Sequence, residues 1–267
     1  MKEVVLQHMI LNHLLSEKQY GFISGRSTVT QLLKYLDICV TTMANGGVTD
    51  TIYLDFAKAF DTVPHSRLLG KLQAYGITGD ILKWIEAFLR NRSQIVRVNG
   101  EESFSAPVLS GIPQGSVLGP ILFVIYINDL PDSITSDTFM FADDTKILRC
   151  ITSMEDSVRL QRDIHELEDW SAKWLLHFNT AKCHVLTLGR IEDILHTHNY
   201  ELYNKLLDHV FEETDLGVNI DSEVKYEEHI SKKVNKANSI VGLIRRSFTH
   251  LDGYLFKRLY TTFVRPH

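Results

Sequence analysis

"FMFADDTKIL", residues 139–148, sets an apolar run against two adjacent aspartates, Asp143 and Asp144. The pattern reads as two strands, Phe139 to Ala142 and Thr145 to Cys150, with the acidic pair at the turn between them. Asp accepts turn geometry readily, so a turn alone would explain the pair. A second carboxylate changes the reading. "TIYLD", Thr51 to Asp55, is another β-rich run that ends on an aspartate, 143 − 55 = 88 residues upstream. Two strand-end acidic sites in one sheet can converge. Crowded carboxylates repel unless protons or cations neutralise them. Hard divalent ions such as Mg²⁺ prefer oxygen donors and leave room for substrate phosphates. Two such ions about 3.5–4 Å apart can stabilise the attacking and leaving oxygens of a phosphoryl transfer. Spacing carries the reading to metal-dependent phosphoryl chemistry and does not choose hydrolysis or polymerisation.

The remaining composition bounds that reading. A chain of 267 residues, 44% hydrophobic and 23% charged, suits one large or two small globular domains with an ample core. The formal net charge of -5 argues against a uniformly basic coat, yet the stretch from Lys225 to His267 holds nine Lys or Arg against three acidic residues. Cys39, Cys150 and Cys183 form no C-x-x-C pair, which favours a reducing, intracellular compartment. His196 and His198 have no cysteine near them and read as loop residues, not zinc ligands. "ILFVIYI", Ile121 to Ile127, is the longest apolar run and is too short to span a bilayer. Met1 to Leu15 reads as an amphipathic helix, and the abrupt stop at "FVRPH" suggests a chain cut from something longer.

The coarse pattern alternates helices and strands irregularly. Ser27 is a helix N-cap candidate before "TVTQLLKYLDICVTTMA", Pro64 stands where another helix begins, and Asn99-Gly100 signals a hairpin. A buried helix is expected from about Val117 to Leu130, and a long one from Met154 to Leu176. "CHVLTLG" and "TDLGVNI" read as strands, with two basic helices from about Glu227 onward. The expected class is α+β, with helices packed on one side of the sheet.

Five ordered blocks then carry a family resemblance: "QYGFISGRSTVTQLL", "IYLDFAKAFDTVPHSRLLGKLQAYGI", "LSGIPQGSVLGPILFVIYINDLP", "FADD" and "FNTAKCHVL". Together, from about Gln19 to Pro266, the chain resembles the reverse transcriptase of non-LTR, LINE-like retrotransposons. The resemblance implies a polymerase palm, an antiparallel sheet backed by helices, with partial fingers and the start of a thumb. Residues 1–50 would be partial fingers, 51–222 mainly palm, and 223–267 basic helices leading to the thumb. It implies an RNA-directed DNA polymerase using an RNA template, a DNA primer, dNTPs and Mg²⁺, with Mn²⁺ a substitute, and no membrane.

Residue by residue, the resemblance makes Asp55, Asp143 and Asp144 metal ligands, with Phe56 offering its backbone carbonyl. Phe60 falls on the aromatic gate that excludes a ribose 2′-OH, although a core aromatic would look the same. Gln114 and Gly115 would help place template and nucleotide, the glycine giving close backbone access. Asp61 is expected to be structural. Lys182 would protonate the pyrophosphate leaving group, or else be a solvated surface lysine. Leu216 and Gly217 match a primer-grip hairpin, and Arg26 matches a fingers residue for template phosphate, or a surface role. Basic runs such as "KKVNK" and "LRNRSQIVR" would hold nucleic-acid phosphates, or simply be solvated helix faces. The resemblance places a further fingers hairpin before Met1 and more thumb after His267, so weak extension is expected of this stretch alone. The competing readings are a catalytically inactive remnant that only binds nucleic acid or protein, and a metal-dependent phosphodiesterase.

Overall fold

The structure, a computed structural model, describes residues 1–189 and 198–266. His196 lies outside the described residues. The chain divides into two compact units, Met1–Val210 and Phe211–His267.

In the first unit, α1 (Lys2–Leu11) buries Val5 and Met9. α2 (Thr28–Ala44) begins at a reciprocal cap, where the Ser27 hydroxyl accepts from the Thr30 amide and Thr30 Oγ1 accepts from the Ser27 amide. β1 (Val48–Leu54) starts three residues before the expected Thr51 and stops just short of Asp55. α3 (Ala59–Thr62) is a single turn; Pro64 then caps α4 (His65–Ala74), which buries Leu68 and Leu72. After α5 (Gly79–Leu89) come four two-residue strands, β2 (Ser93–Gln94), β3 (Arg97–Val98), β4 (Glu101–Glu102) and β5 (Ala106–Pro107). They nest as β2–β5 around β3–β4, and Asn99 (φ 53°) with Gly100 (φ 91°) makes the expected tight turn.

α6 (Gly119–Ile127) is apolar around its whole circumference and is buried from Ile121 through Ile127. It is shorter than the expected 117–130 and passes into a 3₁₀ turn, Leu130–Ser133. β6 (Asp137–Phe141) and β7 (Asp144–Ile151) form a hairpin, and α7 (Met154–Trp174) buries Leu160, Ile164 and Leu167 along one face. β8 (His184–Leu188), β9 (Glu201–Leu202), β10 (Lys205–Leu206) and β11 (Asp208–Val210) complete the unit.

The main sheet has the order β11-β8-β1-β7-β6, antiparallel except for the parallel pairing of β11 with β8. Side chains alternate across it. Thr51 and Tyr53 meet α2, where the Tyr35 hydroxyl lies 3.0 Å from Thr51 Oγ1 and accepts from Tyr53. Ile52 and Leu54 point the other way, into a core shared with Ile147, Val185, α6 and α7. Helices therefore cover both faces, not one as expected: β1 is buried along both, with Thr51 and Tyr53 hydrogen-bonded toward α2 and Ile52 and Leu54 in the apolar core.

Buried charges tie the layers together. Asp163 on α7 accepts from the Ser136 amide at 2.8 Å, the Thr135 amide at 3.0 Å and Arg149 at 3.4 Å, which fixes the entry to β6. Lys71 on α4, 4% exposed, bonds the Tyr126 carbonyl and Asp129, and stands 3.6 Å above the Trp174 ring.

In the second unit, β12 (Glu212–Asp215) pairs with β13 (Val218–Asp221). The "TDLGVNI" run is thus a hairpin rather than one strand, turned by Leu216 (φ 47°) and Gly217 (φ 86°). The Asn219 amide donates to His229 on α8 (Glu227–Ser247). α9 (Gly253–Leu259), capped by the Asp252 side chain, runs into a π-helical turn at Tyr260–Val264.

Lys71 gives a test of this packing. Burial lowers its pKa from 10.5 to about 8. Between those values the unfolded chain holds a proton that the folded chain has released, so this group makes stability rise with pH across that window. The stability of the parent relative to Lys71→Met, from urea unfolding, should therefore increase between pH 8 and 10.5. Lys71→Ala at neutral pH should cost about 3 kcal/mol, since it removes the counter-charge of Asp129, leaving it the Trp170 indole N–H, and takes a donor from the Tyr126 carbonyl.

Candidate active site

The ends of β1 and β7 build the site. β1 pairs with β7 from Val48↔Ile151 to Leu54↔Thr145. Asp55 directly follows Leu54 and Asp144 directly precedes its partner Thr145, so the two aspartates lie at the same end of the paired strands. On the other side, Phe141 pairs with Asp144 and closes the β6–β7 hairpin, leaving only Ala142 and Asp143 in the turn. The expectation of both aspartates at the turn is thus corrected. Asp144 is the first residue of a strand, and Asp143 alone occupies the turn. Ala142 adopts φ 55°, a conformation unfavourable for a residue with a Cβ.

Asp55 is held by a second ladder. Its carbonyl accepts from the Asn179 amide at 2.7 Å, and the Ala57 amide donates to the His177 carbonyl at 2.8 Å. This pattern bridges Phe56 with Phe178 but leaves the Phe56 carbonyl out of the bonding. The two rings stack at 4.6 Å, so the Phe56 side chain anchors the backbone in the core. Lys182, just past this ladder, brings Nζ to 3.1 Å from Asp55 Oδ2. Its side chain is 63% exposed and that of Asp55 39%, so solvent screens the pair to no more than about 1 kcal/mol. Cys183 packs under the same backbone, and burial pushes its thiol up to about 11. It is not a reactive thiolate.

A hard divalent ion fits this donor set. Asp55, Asp143, Asp144 and the Phe56 carbonyl are all oxygen donors, and an ammonium already rests on Asp55. Among the described residues no three His, Cys, Asp or Glu side chains are gathered into a ready cage. Like charges disfavour one another, and the Lys182 ammonium is a counter-charge for Asp55.

The adjoining segments flank the site. Phe60 is half-buried, and its ring stacks on Phe123 of α6 at 4.6 Å. Gln114 is exposed, and its Nε2 donates to Asp61 Oδ1 at 2.9 Å. Asp61 is thereby given a specific task, holding the Gln114 amide. Gly115 has φ 76°, a backbone conformation that favours glycine, and no protein atom stands where a Cβ would project. The close approach falls on Gly111, where a Cβ would lie 2.6 Å from the Asp61 carbonyl oxygen. An open cleft of about 820 Å³ is lined by Lys58, Asp61, Arg92, Ile112 and Gln114. Lys58 and Arg92 escaped individual notice in the sequence. Lys58 stands three residues past Asp55, the one signal that could have found it.

Arg26 is engaged inside its own loop, where Nη1 donates to the Ser16 carbonyl at 2.6 Å and to the Gln19 carbonyl. Leu216 and Gly217 form the hairpin turn of the second unit. Among the described residues no helix is long and apolar enough to cross a membrane.

Comparison with known proteins agrees with this arrangement. Residues 1–231 match the family model described as reverse transcriptase (RNA-dependent DNA polymerase). The chain is 26% identical over 289 residues to the RNA-directed DNA polymerase from mobile element jockey of Drosophila funebris, covering 98% of this chain and 31% of that protein. It is 27% identical over 239 residues to the probable RNA-directed DNA polymerase from transposon BS of Drosophila melanogaster, covering 83% of this chain and 25% of that protein. The chain thus spans about a third or less of these relatives. Among solved structures it resembles a telomerase from Candida tropicalis in complex with a telomeric RNA fragment, with a TM-score of 0.57 and 14% identity over 85% of this chain and 37% of that one. That likeness concerns the fold, a mixed helix-and-sheet palm with mostly antiparallel strands. With the family model matching most of its length, this chain belongs to the reverse transcriptase (RNA-dependent DNA polymerase) family, alongside the polymerases of non-LTR retrotransposons.

Proposed function

We propose that this chain carries the polymerising centre of an RNA-directed DNA polymerase that adds dNTPs to a DNA primer on an RNA template. The observation that carries the proposal is the β1–β7 pairing, which leaves Asp55 and Asp144 at the same end of the sheet, next to the Ala142–Asp143 turn, with the Lys182 ammonium on Asp55. Residues 51–222 would be mainly palm, 1–50 partial fingers and 223–267 the approach to the thumb.

Asp55, Asp143, Asp144 and the Phe56 carbonyl would hold Mg²⁺, or Mn²⁺ in its place, which supplies charge neutralisation at a reacting phosphate. The bond formed joins the primer 3′-oxygen to the α-phosphorus of the dNTP. The bond broken is that between the α-phosphorus and the bridging oxygen, and pyrophosphate leaves. The 3′-hydroxyl would give up its proton to solvent, and the Lys182 ammonium would donate one to the departing pyrophosphate and recover it from solvent. Lys58, on the cleft beside Gln114, would bind phosphate oxygens as a positive charge, while Arg92 donates to the Leu89 and Gly111 carbonyls and would brace the cleft wall. Gln114, oriented by Asp61, would meet the nucleotide or template, with Gly115 setting the path of the backbone. Phe60, locked on Phe123, would present a rigid ring under the sugar and exclude a 2′-hydroxyl. The Leu216–Gly217 turn would contact the primer. For Arg26, the bonds to Ser16 and Gln19 support a bracing task over a template contact.

Four measurements test this reading. Asp143→Asn should abolish Mn²⁺ binding, followed by electron paramagnetic resonance, and lower primer extension by at least about 100-fold. The same change should raise the melting temperature of the metal-free protein, because it removes one charge from a repelling group. Phe60→Val should admit ribonucleotides while leaving dNTP incorporation largely intact. Unaltered sugar discrimination would assign the ring to core packing alone.

A further inference from the structure

Gln19 is fully buried, an unusual place for an amide, and it lies against the turn that carries Asp143. Its Oε1 accepts two backbone bonds at once, from the Gly21 amide at 2.7 Å and the Ala142 amide at 3.0 Å. Those two donors fix which end of the amide is oxygen. Ala142 is the left-handed residue of the turn, so the bond grips the backbone where it is least favourable. Two further bonds run alongside: the Tyr20 amide to the Met140 carbonyl at 2.7 Å, and the Met140 amide to the Lys18 carbonyl at 2.9 Å.

The segment holding Gln19 is itself braced. Arg26 bonds the Ser16 and Gln19 carbonyls, and the Ser16 amide donates to Asn128 Oδ1 at 2.8 Å. Gly21 completes the fit, because a Cβ there would stand 2.5 Å from the Ala142 nitrogen. Gln19 Nε2 is buried without a hydrogen-bond partner. Packing alone would be served better by an apolar side chain with no buried donor left over. What an apolar residue cannot do is accept from Ala142.

We infer that Gln19 is a positioning residue, which fixes the Ala142–Asp143 turn through its side-chain oxygen and so aims the Asp143 carboxylate for a divalent cation. The inference rests on the reading of Asp143 as a metal ligand. Residues that orient a ligand from behind typically change metal affinity by roughly 10–100-fold when replaced.

The test is Mn²⁺ titration of the full 267-residue chain by electron paramagnetic resonance, with thermal unfolding measured in parallel. Gln19→Met keeps the bulk, removes the acceptor, and should weaken Mn²⁺ binding by roughly 10–100-fold in protein that remains folded. Gln19→Glu restores acceptor oxygens and should recover most of that affinity. Gly21→Ala presses on the turn from the same side and should also weaken binding; it carries the test if Gln19→Met does not fold. A purely structural role predicts lower melting temperatures with parental Mn²⁺ affinity in the folded fraction, and that result overturns the inference. Asp143→Asn separates the two levels. If it loses Mn²⁺ while Gln19→Met and Gly21→Ala bind normally, only the role of Gln19 fails. If Asp143→Asn binds as the parent does, the metal-ligand reading fails and takes the inference with it.

Discussion

The antiparallel pairing of β1 with β7 is the constraint on which the rest of the molecule depends. It joins residues about 95 positions apart in the chain, from Val48↔Ile151 to Leu54↔Thr145, and ends where the carboxylates begin. A slip of one residue would send Ile52 and Leu54 to the α2 face and carry Asp55 away from Asp144. The core and the site are therefore specified by the same register. Burial on both faces makes that register costly to lose, and it keeps Asp55 and Asp144 at the same end of the sheet.

Charge is managed differently at each depth. Inside, Asp163 and Lys71 are matched by several partners, because an uncompensated charge in the core would cost more than the fold's margin of stability. At the end of the sheet, the Asp55 carboxylate is paired with a solvent-screened lysine. A weak, exposed partner is easily displaced, which suits the metal-ligand task proposed for Asp55. The hairpin turn follows the same division: Asp143 is half-buried at the surface, while the amide that shapes its backbone is held from within by Gln19.

Much of the local structure was legible in the chain. Ser27 capped its helix, Asn99-Gly100 turned its hairpin, and the apolar run at Ile121–Ile127 was buried, each for a reason confined to a few neighbouring residues. The strand-end aspartates were legible too, as was the likeness to reverse transcriptases. The assignment of both aspartates to the turn failed because pairing with Phe141 draws Asp144 into the strand, and pairing is a property of two segments. Helices on one side failed for a like reason. Alternation along β1 marks two buried faces but does not name what covers them.

By itself, then, the sequence determined element types, the apolar faces and the residues able to bind a cation, since these follow from side-chain chemistry and local backbone preference. Only the tertiary structure decided that Gly111 lies too close to the Asp61 backbone for a Cβ, and that Arg26 serves its own loop. It also decided that Lys182 meets Asp55 across 127 residues, and that Gln19 reaches Ala142 across 123. The physical reason is common to all of these. A contact between distant segments is set by the packing of everything between them, and no short window of residues carries that information.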